Sequence, residues 1–342
     1  MINEDSEQRM SPNHSLAARL QTGSERGVAM IMAMLTVALV AILAAGIVAA
    51  YGFAVDSVSG RHDLDQARWL ARGAIDWARN VLAEDKRRTG AVDQLGETWA
   101  TKIPPTPVDE GEVSGEIEDL SGRFNLNSLV DASGARNIPG ENAFIELLQI
   151  AGEPAGQATL LASNLRLWID AASEPNDAYQ PALPNNSVPP NAPLVTPDEL
   201  IQVPGFDGAL VERIKPFVTA VKPGALLNVN TASAEVLAAV LSALGRIGDP
   251  NAPAVTLDRA RQIVSNRNTA AYIDIPTFVA NNQDLQLPGN PASYLSVGSQ
   301  YFLASGRAKF GSAVTRMQVL LDRGAPDNPS QNWPNIVWQQ IL

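Results

Sequence analysis

The stretch RGVAMIMAMLTVALVAILAAGIVAAYGFAVD, Arg26 to Asp56, decides how the rest of the chain is read. No charged residue occurs from Gly27 through Val55, and Arg26 and Asp56 fence the two ends. An α-helix rises about 1.5 Å per residue, so about 20 apolar residues cross the hydrocarbon core of a bilayer. This run exceeds that length. It also exceeds the apolar region of a secretory signal peptide, which is about 7–15 residues long and ends at a small-residue cleavage site. Ala44, Ala45, Ala49 and Ala50 offer small residues, but the apolar run before them is already too long for such a peptide. The stretch reads as a retained membrane anchor.

On the amino-terminal side, the first 26 residues are polar, mixed in charge and without hydrophobic periodicity, which predicts disorder. Arg19 and Arg26 stand there, against Asp56 and Asp63 beyond the anchor, although Arg61, Arg68 and Arg72 follow it too. The charge bias leans only weakly towards a cytoplasmic amino terminus. On the other side, helix character continues. Leu64, Ala67, Leu70 or Ala71, Ala74, Ala78 and Val81 recur at spacings of three and four and predict one apolar stripe on an amphipathic helix. Lys86, Arg87 and Arg88 suit the negative carboxyl end of that helix, and Gly90 suits its C-cap. Trp69 and Trp77 read as packing or interfacial aromatics.

Composition narrows the function. The 342 residues leave room for about two domains beyond the anchor. A net charge of −11 argues against broad attraction to nucleic acid. With no cysteine there is no disulfide, thiolate zinc site or cysteine nucleophile. The two histidines, His14 and His62, flank the anchor, so a histidine-centred catalytic constellation in a folded domain has no place. A non-enzymatic role is expected.

Beyond a Pro-rich link, GEVSGEIEDLSGRFNLNSL reads as short strands with turns, and Gly140 to Trp168 as helical. A long polar, Pro-rich segment follows, SEPNDAYQPALPNNSVPPNAPLVTPDEL, too long for an ordinary connection. Thr196 is placed to cap the next helix, with Pro197 first and Glu199 as capping-box partner. Then VPGFDGALVERIKPFVTAV sets a Pro-Gly turn before a helix, and LNVNTASAEVLAAVLSALG opens a helix at Thr231 or Ser233 and closes it at Gly245. QYFLASGRAKFGSAVTRMQVLLDRG alternates around a Phe-Gly-Ser turn, which predicts a β-hairpin, and NIVWQQIL adds a strand. The exterior part is therefore strands, a helical insertion, then strands again.

Five of these segments, RGVAMIMAMLTVALVAILAA, FNLNSL, LWID followed by EPNDAY, TPDELIQVPGF and LNVNTASAEVLAAVL, occur in an order that resembles the K-class minor pseudopilins of the type II secretion system, the general secretion pathway protein K family. The resemblance runs from about Arg26 to the carboxyl end. It implies an α+β, pilin-like fold: a long N-terminal transmembrane helix packed on an antiparallel sheet, with an inserted helical domain of SAM-like or helix-hairpin-helix-like character. The expected layout is a leader at 1–27, a transmembrane helix at 28–55, its amphipathic continuation at 56–90 and pilin-like strands at 91–130. The inserted domain then spans 131–295, in two parts of about 131–222 and 223–295, before C-terminal strands at 296–342.

The family also implies sites and partners. By resemblance to type IV pilins, a prepilin peptidase cuts after Gly27 on the cytoplasmic face, the leader is removed, and Val28 becomes a methylated amino terminus. Most pilins carry a glutamate at the fifth mature position, where this chain has Met32. That loss implies a place at the pseudopilus tip, among other minor pseudopilins, the major pseudopilin and the inner-membrane secretion platform. Asp170, Glu174 and Asp177 form a dense carboxylate group; they match an acidic stretch that binds calcium in K-class relatives, and calcium accepts irregular oxygen shells. Many relatives have a further acidic residue where Ala172 stands here, and a merely solvated acidic loop is the other reading. A rival identification also stays open: VPGF before a helix resembles helix-hairpin-helix modules of competence-type, membrane-anchored DNA-binding proteins, in which turn amides hold a phosphate. Asp198, Glu199, Asp207 and Glu212 stand against Arg213 and Lys215 there, so no nucleic acid is expected.

Overall fold

The computed structural model describes residues 17–170, 190–325 and 333–342, with side chains from residue 27 onward. Helix α1 runs from Ala17 to Thr89. Disorder through residue 26 is not what forms: the helix already includes 17–26, where Ala17, Ala18, Arg19, Leu20 and Gln21 are strong helix formers joined to a long helical run. Gly90 ends it in the left-handed region, at φ 75°, with its N–H donated to the Lys86 carbonyl at 3.1 Å. Glycine alone adopts that backbone without strain. The chain divides between Asp63 and Leu64 into two units, the first carrying the apolar part of α1.

In the second unit, strands β1 (Ile103–Val108) and β2 (Gly111–Asp119) lead into two short strands, β3 (Phe124–Asn125) and, much later, β4 (Val218–Thr219). Next come β5 (Leu227–Asn228) and β6 (Leu295–Ser296), then β7 (Tyr301–Phe310), β8 (Ala313–Asp322) and β9 (Asn335–Ile341). The main sheet has the order β1-β2-β7-β8-β9 and is antiparallel throughout. Because β2 pairs β7 directly, everything between Asp119 and Tyr301 leaves the sheet and returns beside its own point of departure. The fold is α+β, with additional helices set between two neighbouring strands.

The carboxyl half of α1 lies on this sheet. Ala71, Ile75, Ala78 and Leu82 pack with Trp99, Ile117, Phe302, Ala304, Ala308, Met317, Val319 and Leu321. Small residues allow a close approach: a Cβ on Gly306 would sit 3.4 Å from the Ala74 Cβ, and one on Gly111 only 2.7 Å from Leu70 Cδ1. The buried line is turned from the expected stripe. Ile75 and Leu82 carry it, while Leu64, Leu70, Ala74 and Val81 are only half buried along one flank.

The helices are α2 (Ile138–Ile150), α3 (Ala155–Ile169), α4 (Gly208–Ile214), α5 (Ala234–Gly248), α6 (Leu257–Thr269) and α7 (Ile275–Ala280). β3 pairs β4 and β5 pairs β6, both parallel, and each pair closes one group of helices. One apolar core nevertheless runs through both groups, from Phe144 and Leu165 to Leu241 and Phe278. Ser233, not Thr231, caps α5, which continues three residues past Gly245. The capping box at Thr196 and Glu199 forms, but on a 3₁₀ segment, Pro197–Gln202, instead of an α-helix.

Candidate functional site

In the apolar half of α1, Met32 is 61 % exposed and stands among Val28, Ile31 and Leu35, all exposed. Thr36, the polar side chain nearest Met32, is satisfied within the helix, donating to the Ala33 carbonyl at 2.8 Å. Among the described residues, α1 is the one helix long and apolar enough to cross a membrane. Gly27 lies inside the helix, and a Cβ there would meet nothing within 4 Å. A side chain at position 27 is therefore neutral for the fold, and any demand for glycine there comes from outside it.

Asp170 is the C-cap residue of α3 and is buried. Its Oδ2 lies 3.4 Å from Arg166 Nη1, and Arg166 also stands 3.7 Å from a Glu141 oxygen. Glu174 and Asp177 fall outside the described residues. Asp170 thus holds an arginine at the threshold of the acidic stretch.

The residues proposed as phosphate-binding turns are otherwise engaged. Asp207 caps α4, accepting the Leu210 N–H at 2.8 Å, so its carboxylate fills the place where turn amides would receive a phosphate. Lys215 pairs with Asp198 at 2.6 Å and Arg213 with Glu153 at 2.5 Å. In the second helical group, Arg259 is held by Asp284 at 2.7 Å. A DNA surface needs convergent cations directed at phosphates, and these three face carboxylates instead. The DNA-binding identification is not favoured.

The quoted Asn motifs are structural devices. In FNLN, buried Asn127 donates to the carbonyls of Leu194 (2.9 Å) and Val221 (2.8 Å) and accepts from Leu194 N–H. In LNVN, Asn230 donates to Tyr272 (2.9 Å) and accepts from Tyr272 N–H, the same exchange in the other helical group. Each asparagine satisfies backbone groups that irregular segments would otherwise leave buried and unpaired.

Sequence reasoning missed a buried polar cluster where α1, the sheet and the β5 segment meet. Arg323, 1 % exposed, follows β8. Its Nη2 donates to both oxygens of fully buried Asp93 at 2.5 Å and to the Ser299 carbonyl at 2.9 Å, and its Nη1 donates to Asp85 at 3.2 Å. Phe302 lies under the guanidinium at 4.7 Å. Asp119 accepts from Ser299 Oγ at 2.6 Å and from Thr231 Oγ1 at 2.5 Å. Asn228 donates to the Asp93 carbonyl (3.1 Å) and to Ser299 Oγ (2.7 Å). One signal was present in the sequence: Asp85 falls three residues after Leu82, on the buried line of α1.

On the opposite flank of α1, Trp69 and Trp77 are exposed and border a groove of about 420 Å³ whose other wall includes Ile103, Val108 and Val113. Both stand at the rim of this groove and outside the buried core, with Arg72 over the Trp69 ring at 5.3 Å.

A long apolar helix, its carboxyl half laid on an antiparallel sheet, defines a pilin-like, membrane-anchored assembly subunit. The family model "Type II secretion system (T2SS), protein K" matches residues 227–298, and the model for its first domain matches 122–223. The type II secretion system protein K of Pseudomonas aeruginosa is 31 % identical over 318 residues, spanning 88 % of this chain and 89 % of that protein. That of Klebsiella pneumoniae is 29 % identical over 313 residues, 87 % and 93 % of the two chains. A chain from the crystal structure of the GspK-GspI-GspJ complex of the enterotoxigenic Escherichia coli type 2 secretion system shares the fold, with TM-score 0.65 at 22 % identity over 84 % of this chain and 99 % of that one. The chain belongs to the type II secretion system protein K family.

Proposed function

We propose that this chain is a minor pseudopilin that sits at the tip of a short pseudopilus and starts its assembly with other minor pseudopilins for the export of folded proteins. The observation that carries this is Met32, an apolar residue at the fifth position counted from Val28, with no charged side chain between Gly27 and Val55. An ionisable group within a membrane helix is costly unless paired, and pilins place one there to meet the amino terminus of the next subunit above. A helix without it has no partner for a subunit stacked on top. The helices inserted between β2 and β7 add bulk that would also obstruct such a subunit. The related complex is one of GspK with GspI and GspJ, and proteins of those two kinds are the partners proposed here, followed by the major pseudopilin and the inner-membrane platform. The amino terminus lies in the cytoplasm, where prepilin peptidase cuts after Gly27 and methylates Val28, and the exterior part lies in the periplasm. No catalytic role is assigned.

Cysteine pairs between α1 and the helices of partner minor pseudopilins test the placement. Crosslinks are expected only in a geometry that leaves this chain outermost; a subunit crosslinked beyond it overturns the reading. Calcium at Asp170, Glu174 and Asp177 is proposed as a stabiliser of the helical part. With free calcium at a hundredfold excess over Kd, the folded state gains about 2.7 kcal/mol. Thermal scans with calcium and then chelator are expected to differ, and the difference to shrink in Asp170→Ala. Identical scans remove the site.

A further inference from the structure

The cluster around Arg323 holds more negative than positive groups. Asp85 and Lys86 come from α1, Asp93 and Glu97 from the segment after it, Asp119 from the end of β2, and Arg323 from the end of β8. Glu97 is half buried and the others are buried. The two cations do not serve the four carboxylates evenly. Arg323 gives Asp93 both of its short bonds and Asp85 a single bond of 3.2 Å. Lys86 directs its Nζ to the carbonyls of Ala325 at 3.0 Å and Arg323 at 3.4 Å. Glu97 accepts from Gln94 N–H at 3.0 Å and from the Trp99 indole at 2.8 Å, which holds its carboxylate within reach of Asp85 and Asp93. Arg323 already supplies the cation among these three.

The same atoms hold three parts of the fold together. Asp93 receives Ser299 N–H at 2.7 Å through its side chain and donates its own N–H to the Val297 carbonyl at 3.0 Å. Its carbonyl receives Asn228, and Arg323 reaches the Ser299 carbonyl. Any free energy of charging stored at Asp85 therefore acts on the joint between α1, the β7–β8 hairpin and the β5–β6 pair.

We infer that this cluster is a proton-operated clasp: a proton taken up by the Asp85 carboxylate tightens the joint between the long helix, the sheet and the second helical group, and release of that proton loosens it. Protonation removes the repulsion of Asp85 with Glu97 and Asp93, and leaves the short Asp93–Arg323 pair, in which Nη2 meets both carboxylate oxygens, as the dominant charge interaction. Burial first, then the charges of Glu97 and Asp93, raise the Asp85 carboxyl to about 7, against the opposing pull of Arg323. Asp119 is raised to about 6, chiefly by burial, so it acts in the same direction. The sign follows from linkage. A carboxyl that holds its proton more tightly in the closed state contributes stability present at low pH, and that stability is lost as pH rises from about 4 to about 7.

Hydrogen exchange on the full-length, detergent-solubilised protein tests this, with each amide corrected for its intrinsic pH dependence. Between pH 5.5 and pH 8, protection in peptides covering residues 227–232 and 297–301 is expected to fall about thirtyfold, the ratio set by one proton bound at about 7. Residues 140–150 of α2, which contribute no side chain to the cluster, serve as the control and are expected to change far less. In Asp85→Asn, protection at the joint is expected to lose most of this pH dependence, leaving only the smaller part that Asp119 contributes. If that variant does not fold, Glu97→Gln is read instead: it removes one of the two charges facing Asp85, and the midpoint is expected to move to lower pH. Wild-type protection independent of pH overturns the proposal. So does a wild-type pH profile retained in Asp85→Asn, or, where Glu97→Gln is read, an unmoved midpoint.

Discussion

The two halves of α1 share one backbone and differ in what surrounds them. From Val28 to Val55 the large apolar side chains are all exposed, between 57 % and 77 %, and point in every direction around the helix. From Ala67 to Leu82 only one line is buried, Ala67, Ala71, Ile75, Ala78 and Leu82, and charged residues occupy much of the rest. A helix apolar all round suits a solvent that is itself apolar, and a one-sided helix suits a protein surface on one side and water on the other. If the proposed function holds, substitutions in the first half act through processing, insertion and assembly. In the second, they act through packing.

The largest effect that tests this contrast is at the boundary of the first half. Gly27→Ala meets no atom in the structure, so it leaves folding unchanged. The expected outcome is nonetheless complete retention of the leader, seen by mass spectrometry as a product heavier by residues 1–27, while the wild type begins at Val28. A wild-type protein that begins at Met1 or Ile2 breaks the pilin reading of the first half.

Next in size is the packing of the second half. Leu82→Ala removes a fully buried side chain from the helix–sheet core and is expected to cost about 2–5 kcal/mol in exterior-part unfolding, followed by denaturant titration. Leu43→Ala, an equal truncation in the first half, is expected to leave the same titration within about 0.5 kcal/mol. Similar losses at both positions erase the distinction.

A smaller effect belongs to the surface where helix and sheet approach most closely. Gly111→Ala places a Cβ 2.7 Å from both Leu70 Cδ1 and the Lys309 carbonyl, and overpacking of this kind costs about 1–3 kcal/mol. The smallest is on the exposed flank. Trp77→Ala is expected to change stability by no more than about 0.5 kcal/mol, since the side chain is 51 % exposed. A large loss there, read in the same titration, means that the groove is packed in solution and that the second half of α1 has no open flank.

The cluster at Arg323 marks the limit of reading along the chain. Asp85 and Arg323 are 238 residues apart, and Asp119 and Ser299 are 180 apart. Neither pair forms a motif, and the misplaced aspartate on the buried line of α1 gains meaning only once Arg323 is seen beside it. The acidic residues at 170, 174 and 177 are the converse case. Their density along the chain reads as a cation site, and the structure adds that Asp170 also meets Arg166, a contact that a spacing of four at a helix end permits and composition does not reveal.

What the sequence by itself determined is what depends on neighbours along the chain. The charge-free run marks the anchor, Gly90 ends the helix, the Phe-Gly-Ser turn joins β7 to β8, and the capping box forms at Thr196. Periodicity, propensity and turn chemistry act over a few residues, so they are legible there. The tertiary structure decided the rest: which line of α1 is buried, that Asp207 caps its own helix, that paired asparagines tie both helical groups, and that carboxylates from distant segments converge on one arginine. Those outcomes are set by burial and by the need to satisfy polar groups cut off from water, and both arise only when remote segments are brought together.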